Sequence, residues 1–339
     1  MVISTLWNGV KTAAPHASMI AVQIITAVYI VLSQVIVVQG ISSSVFLFYV
    51  FIIATIFMGS LAFIFERKQR PPITKFILCC IFLMALLGVT FLQNMMVACL
   101  HFISGTVEAA ALNMVLIFTY ILSVISRQEK AMLNTLWGKG KLFGTLLSVS
   151  GALTLVLWNG PSVIKLSTSI QATSLVYWIL GLVMVVAGVF ALSLWILLLG
   201  PMTRLYSAEF SLTTIMFAFA VLQQALIAAI LSHNSSQWKL KWNLELVNIF
   251  VGGTLNTGVS NLFTVYCSTV KKGPVFVGSF SPLSLVFTTI LETVFLRSNL
   301  DLGRIVGAVM ILAGLYIFLW SKSKEEETHQ LIDAYYSID

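Results

Sequence analysis

Residues 271–296 read KKGPVFVGSFSPLSLVFTTILETVFL. Two lysines and a Gly-Pro pair open an apolar run long enough to cross a bilayer, because a spanning helix needs about 20 predominantly apolar residues. Pro274 stands where a helix tolerates proline, at its start. Inside the run sit a second proline, Pro282, and a carboxylate, Glu292. A mid-span proline removes a backbone hydrogen bond and survives only where neighbouring helices or polar groups compensate. Ser281, Ser284, Thr288 and Glu292 follow at i, i+3, i+7 and i+11, one face of a helix. A membrane helix with one polar face needs something other than lipid against it. The stretch predicts an all-α integral membrane protein with an internal cavity.

The remaining chain agrees. It is 59% hydrophobic and 9% charged, where a soluble domain carries roughly 25% charged residues. The net charge of +7 is spread between apolar runs, so the bilayer and not nucleic acid is the expected partner. Cys79, Cys80, Cys99 and Cys267 lie in or beside apolar runs without metal or disulfide spacing, and no P-loop pattern appears. Neither a cofactor, a metal nor an enzymatic activity is expected. The N-terminal residues lack the pattern of a cleaved signal peptide, so the first span serves as its own signal.

Ten runs qualify as spans: 17–38, 43–65, 74–98, 106–126, 142–158, 174–198, 209–231, 245–267, 274–296 and 303–320. With the N-terminus in the cytosol, only Lys165, Lys239, Lys241, Arg297 and Arg304 of the 19 lysines and arginines fall on the outer side. The positive-inside rule therefore puts both termini inside. The sequon Asn234-Ser235-Ser236 falls in an outer loop, and tryptophans such as Trp158 and Trp320 lie near span ends.

Spans four and five resemble spans nine and ten. Both last helices carry Gly-x6-Gly (Gly144 and Gly151; Gly307 and Gly314) and end in tryptophan. In this alignment Leu116 faces Pro282, which leaves span four the straighter of the two. Five spans per copy is an odd number, so the second copy runs through the bilayer upside down, a common transporter plan with the site between the halves. The chain divides into a cytosolic N-terminus (1–16), a first five-helix repeat (17–158), an outer linker (159–173), a second five-helix repeat (174–320) and a cytosolic tail (321–339).

Polar faces recur on other spans: Gln23, Thr26 and Gln34 on span one; Gln93-Asn94 on span three; Glu108, Asn113 and Thr119 on span four; Thr213 and Gln224 on span seven. Span eight places Asn248, Gly252, Asn256, Ser260 and Thr264 at every fourth residue. Any one such side chain can be plain interhelical glue, worth about 0.6 kcal/mol. The set, spread over both halves, points to a wet central cavity. Its expected lining is Gln23, Asn94, Asn113, Gln224, Asn256, Ser281, Thr288 and Glu292. An acid inside a span is a functional hypothesis by default, yet Glu292 lies near the outer end and could instead snorkel or pair with Arg297. Glu108 falls on the same side. Spans five and ten are glycine-rich with little polar content and read as scaffold or homo-dimer helices.

KKGPVFVGSFSPLSLVF and WKLKWNLEL (238–246) resemble the plant nodulin-like, walls-are-thin-related branch of EamA-type transporters, in the drug/metabolite transporter superfamily. FERKQRPPIT (65–74), Gln93-Asn94, RQEK (127–130), KLFGTLLSVSGA and YSAEFSLT (206–213) support the match over roughly residues 17–322. The resemblance implies two inverted five-helix repeats and transport of amino acids or related metabolites, auxin in some members, without ATP. The chain departs from the family pattern in three places. Leu116 replaces the proline of an Asn-x-x-Pro segment, Val50 and Phe51 follow Tyr49 where the family has Arg-His, and Arg297-Ser298 stand near its Gly-acid pair.

The expected function is therefore a secondary transporter or facilitator of small polar organic solutes, amino acids or auxin-like metabolites, working by alternating access. The alternative is a divergent, non-transporting membrane protein that binds or regulates a related transporter; the losses at 116 and 50 favour it. A nucleotide-sugar carrier would want basic residues on cavity-facing helices, and none is found. After Trp320 the tail is polar and short, which predicts disorder. Glu327-x3-Leu331-Ile332 and Tyr335-x2-Ile338 within it resemble sorting signals, so the plasma or vacuolar membrane is the expected address. A tag after Asp339 should stay protected from outside reagents in sealed right-side-out vesicles. Labelling there without permeabilisation would overturn the topology.

Overall fold

The computed structural model describes residues 2–38, 42–67, 70–126, 135–158, 162–164, 175–231, 238, 244–267, 274–296 and 300–336. Ten helices follow the ten apolar runs in order. Helix one is Val2–Val38, helix two Ser43–Phe65, helix five Leu136–Leu157, helix six Leu175–Leu205, helix seven Glu209–Leu231 and helix ten Leu302–Tyr336. Among the described residues, eight of the ten are long and apolar enough to cross a membrane; helices five and eight fall outside that set. Starts follow local chemistry. The hydroxyls of Thr74, Ser104 and Thr135 accept from the backbone N–H three residues on, which caps helices three, four and five. Large apolar side chains such as Ile64, Leu226 and Val294 are exposed on the outside, as hydrocarbon surroundings require.

Four helices are broken at mid-length. Helix three runs Lys75–Ala85, widens into a π-helical segment at Leu86–Phe91 and resumes at Leu92–Cys99. Helix eight does the same, with Leu244–Phe250, a π-helical Val251–Val259 and Ser260–Tyr266. Helix four divides at Asn113 into Gly105–Leu112 and Met114–Ile125, and helix nine at Phe280 into Pro274–Ser279 and Ser281–Phe295. The break in helix nine is the one Pro282 predicts. The break in helix four is a correction, because Leu116 was expected to leave it straight. Asn113 makes it instead: its Nδ2 donates to the carbonyls of Ala110 at 2.9 Å and Ala109 at 3.4 Å, standing in for backbone bonding at the break.

Helices five and ten lie antiparallel along each other. The glycines read in sequence as a shared pattern meet here. A Cβ on Gly144 would come 2.7 Å from Gly314 O and from Phe318 N, and one on Gly151 would come 2.8 Å from Gly307 O. Ser148 Oγ donates to Ile311 O at 3.3 Å, and Trp137 packs edge-on against Trp320 at 5.3 Å. The small faces that suggested a dimer are thus taken up within one chain. Two short strands, Ser162–Ile164 and Leu300–Asp301, pair antiparallel and tie the segment before helix six to the one before helix ten.

The tail differs from expectation. Helix ten does not stop at Trp320 but continues to Tyr336, through the stretch read as disordered. A formed helix lowers the cost of adding each further turn, and Lys141 Nζ meets Glu325 Oε2 at 2.6 Å, holding the extension to helix five. The backbone of Leu331 and Ile332 is therefore helical and not the extended chain a sorting signal presents. At the other terminus, helix one already begins at Val2. Asn234-Ser235-Ser236, Arg297 and RQEK at 127–130 lie outside the described residues.

Backbone-to-backbone contact leaves no flexible neighbour to give way, so Gly144→Ala or Gly314→Ala should lower the melting midpoint of the detergent-purified protein by roughly 3–8 °C. Gly59→Ala, whose Cβ would meet only Thr214 Cγ2 at 3.4 Å, should leave it within about 2 °C.

Candidate functional site

The broken helices surround a cavity of about 180 Å3. That is smaller than the ~300–1,000 Å3 of pockets for drug-sized ligands and suits a small metabolite. Helices one, three and four contribute from the first half, and helices six, seven, eight and nine from the second. No described residue of helices five and ten lines it. The π-helical segments matter for the wall: Gly88 and Val89 line it from helix three, and Asn256 and Thr257 from helix eight. Gly88 lets the Trp195 indole lie against the helix-three backbone, because a Cβ there would overlap the ring.

Of the eight side chains expected to line the path, Gln23, Asn256 and Ser281 do. Asn94 does not; its neighbour Gln93 lines the wall. Asn94 Nδ2 donates to Gln224 Oε1 at 2.6 Å and to Thr90 O at 2.7 Å, while Gln224 Nε2 donates to Ser44 O at 3.0 Å. Thr90 Oγ1 adds a bond to Gln223 Oε1 at 2.7 Å, and Gln223 Nε2 reaches Phe82 O at 3.2 Å. These amides clamp helix seven to helices two and three around the π-helical segment. Asn113 serves its own helix break. Ser281 Oγ donates to Gly278 O at 2.7 Å, so the wall has its backbone more than its hydroxyl to offer. Thr288 is fully buried on helix nine, away from the cavity.

Glu292 is a correction to its interfacial reading. It is 3% exposed. Its Oε1 accepts from Thr106 N at 2.9 Å and its Oε2 from the Thr106 hydroxyl, while Gln34 Oε1 accepts from Gly105 N at 3.2 Å. Helices nine and one thus cap the start of helix four, where unpaired N–H groups and the helix dipole favour a negative charge. The same device appears at the opposite end of the bundle. Glu66, past the end of helix two, accepts from Phe210 N at 2.9 Å and Ser211 N at 2.6 Å at the start of helix seven. Two carboxylates each join a helix of one half to a helix start in the other.

Sequence reasoning missed several wall residues. Tyr29, Ser33, Trp195 and Asn261 all line the cavity. Tyr29 and Ser33 extend the face of Gln23 and Thr26 down helix one, and could have been found by following the period past its last conspicuous amide. Glu108, placed by sequence at the outer mouth, lies in the cavity wall at 4% exposure.

Comparison with known proteins agrees with this architecture. The EamA-like transporter family matches residues 15–157. Two WAT1-related proteins of Arabidopsis thaliana are 31% and 32% identical, covering 94% and 91% of this chain and 92% and 89% of their own lengths. Protein WALLS ARE THIN 1 of the same plant is 30% identical over 95% of this chain and 87% of its own. A solved crystal structure superposes with a TM-score of 0.62 at 13% identity, over 88% of this chain and 98% of that one, which speaks for the fold alone. The chain belongs to the EamA-like transporter family and is related to the plant WAT1-related proteins; it is a multi-pass membrane protein of transporter and not enzyme type.

Removing the carboxylate that caps helix four leaves the buried N–H and hydroxyl of Thr106 unpaired, at a cost of about 1–3 kcal/mol. Glu292→Ala should therefore lower the melting midpoint by roughly 3–8 °C, Glu292→Gln by less, and the exposed Val294→Ala hardly at all. Equal midpoints for all three would show that the cap carries no load.

Proposed function

We propose that this member of the EamA-like transporter family is a secondary transporter or facilitator that moves small polar organic solutes, such as amino acids or auxin-like metabolites, by alternating access. One observation carries the reading: a small, mixed polar and apolar cavity walled by broken helices from both halves of the chain. In a bilayer, irregular backbone at mid-depth is tolerated where it is buried in protein or lines a water-filled site, and transporter sites are typically built from such helices.

The proposal includes two inverted repeats, 17–158 and 174–320. Paired irregularities support it, with π-helical segments in helices three and eight, breaks in four and nine, and facing glycines in five and ten. Rocking one half against the other would open the ends in turn. Release of the Glu66 cap would free one end, and release of the Glu292 cap the other. Both termini would face the cytosol, in the plasma or the vacuolar membrane. Gln23, Asn256 and the Ser281 turn would touch solute, whereas Asn94, Asn113, Gln224, Thr288 and Glu292 would hold the framework that moves. The non-transporting alternative draws on the missing span-four proline, but Asn113 supplies the break that proline would have made.

Reconstituted protein should take up at least one labelled amino acid or auxin saturably, and Asn256→Leu should cut that uptake at least tenfold while the melting midpoint holds. Absence of saturable uptake across the panel would refute transport of this class.

A further inference from the structure

Glu108 stands in the wall of the cavity, in the first turn of helix four. Every other described lining residue is uncharged: no lysine, arginine, histidine or aspartate faces the space. The side chain is 4% exposed, and its Oε2 is buried with no hydrogen-bond partner among the described residues. A carboxylate in such surroundings is costly unless a positive charge or a set of donors meets it. The described residues supply neither at Oε2, although a glutamine or leucine would fill the same place at lower cost.

We infer that the cavity selects a solute bearing a protonated amine, which seats against Glu108, over a solute whose only charge is a carboxylate. The inference deepens the transport reading and rests on it. An ammonium group brings the charge and the N–H donors that Oε2 lacks, in the geometry of a short charge-assisted hydrogen bond. The surrounding wall suits a cation as well. The rings of Tyr29 and Trp195 line the same space, and an aromatic face attracts an ammonium. Asn256 and Asn261 offer amides, which can donate to and accept from the uncharged polar remainder of a solute. No basic side chain lines the described wall, so a carboxylate-only solute would meet Glu108 with no positive charge to hold it.

Three ligands that share a ring and differ in their charged groups test this: tyramine (amine only), tyrosine (both groups) and 4-hydroxyphenylpropionate (carboxylate only). Binding to the purified full-length protein is read by tryptophan fluorescence, and uptake in proteoliposomes. Tyramine and tyrosine should bind at least tenfold more tightly than 4-hydroxyphenylpropionate. Glu108→Gln should weaken tyramine binding at least tenfold and leave 4-hydroxyphenylpropionate unchanged or improved, and Glu108→Asp should recover part of the loss. The unmodified protein answers the first question whether or not the variants fold. Equal binding of tyramine and 4-hydroxyphenylpropionate, no binding of tyramine, or an unchanged tyramine affinity in folded Glu108→Gln would overturn the inference. Glu108-dependent tyramine binding without uptake of any solute would uphold amine selection and refute transport instead.

Discussion

A bilayer offers no water to backbone groups, so every N–H and C=O that a helix gives up at mid-depth must find a partner inside the protein. The whole arrangement follows from that constraint. Helices three, four, eight and nine are all interrupted, and in three, four and nine side chains bond to carbonyls beside the interruption. Gln223 reaches Phe82 O, Asn94 reaches Thr90 O, Asn113 reaches Ala110 O and Ser281 reaches Gly278 O. The cavity lies among the interrupted segments, with Gly88, Val89, Asn256, Thr257, Gly278 and Ser281 in its wall. A polar face on a membrane helix thus has two uses, lining a space and mending a backbone, and this protein applies both on the same helices.

That double use decides what could be read from sequence. The ten helices were legible because each apolar run is long and the punctuation between runs is clear. The glycines of helices five and ten stood out in sequence as a shared pattern, and in the structure they meet face to face. The wall was only partly legible. Gln93 and Asn94 are adjacent and chemically alike, yet the first lines the cavity and the second clamps helix seven. Which one turns inward depends on the π-helical segment just before them, which shifts the phase of the helix. One trace of such a segment was visible. Polar residues at every fourth position from Asn248 to Thr264 would drift about 40° per step around a regular α-helix, and the wide turns of Val251–Val259 help keep Asn256, Ser260 and Thr264 on the cavity side.

Leu116 misled for a related reason. Proline is one way to break a helix, and an asparagine bonding to carbonyls of the preceding turn is another; only the first has a sequence signature strong enough to read unaided. The tail misled because composition was weighed without its attachment. Lys141 and the preceding span give the polar residues a helix to continue and a neighbour to hold. Glu292 lay beyond sequence reasoning altogether, since its partner Thr106 is far away in the chain and its burial depends on helices one, four and nine closing over it.

The caps of Glu66 and Glu292 join the halves at opposite ends of the bundle, and the central claim is that these ends open in turn around the cavity. Pairs of spin labels replacing the exposed His101 and Phe295 at one end, and Ile64 and Leu205 at the other, report this directly by pulsed dipolar distance measurement in nanodiscs. With a transported solute added, the account predicts that one distance distribution lengthens as the other shortens. Two distributions that stay fixed, or that lengthen together, would contradict alternating access.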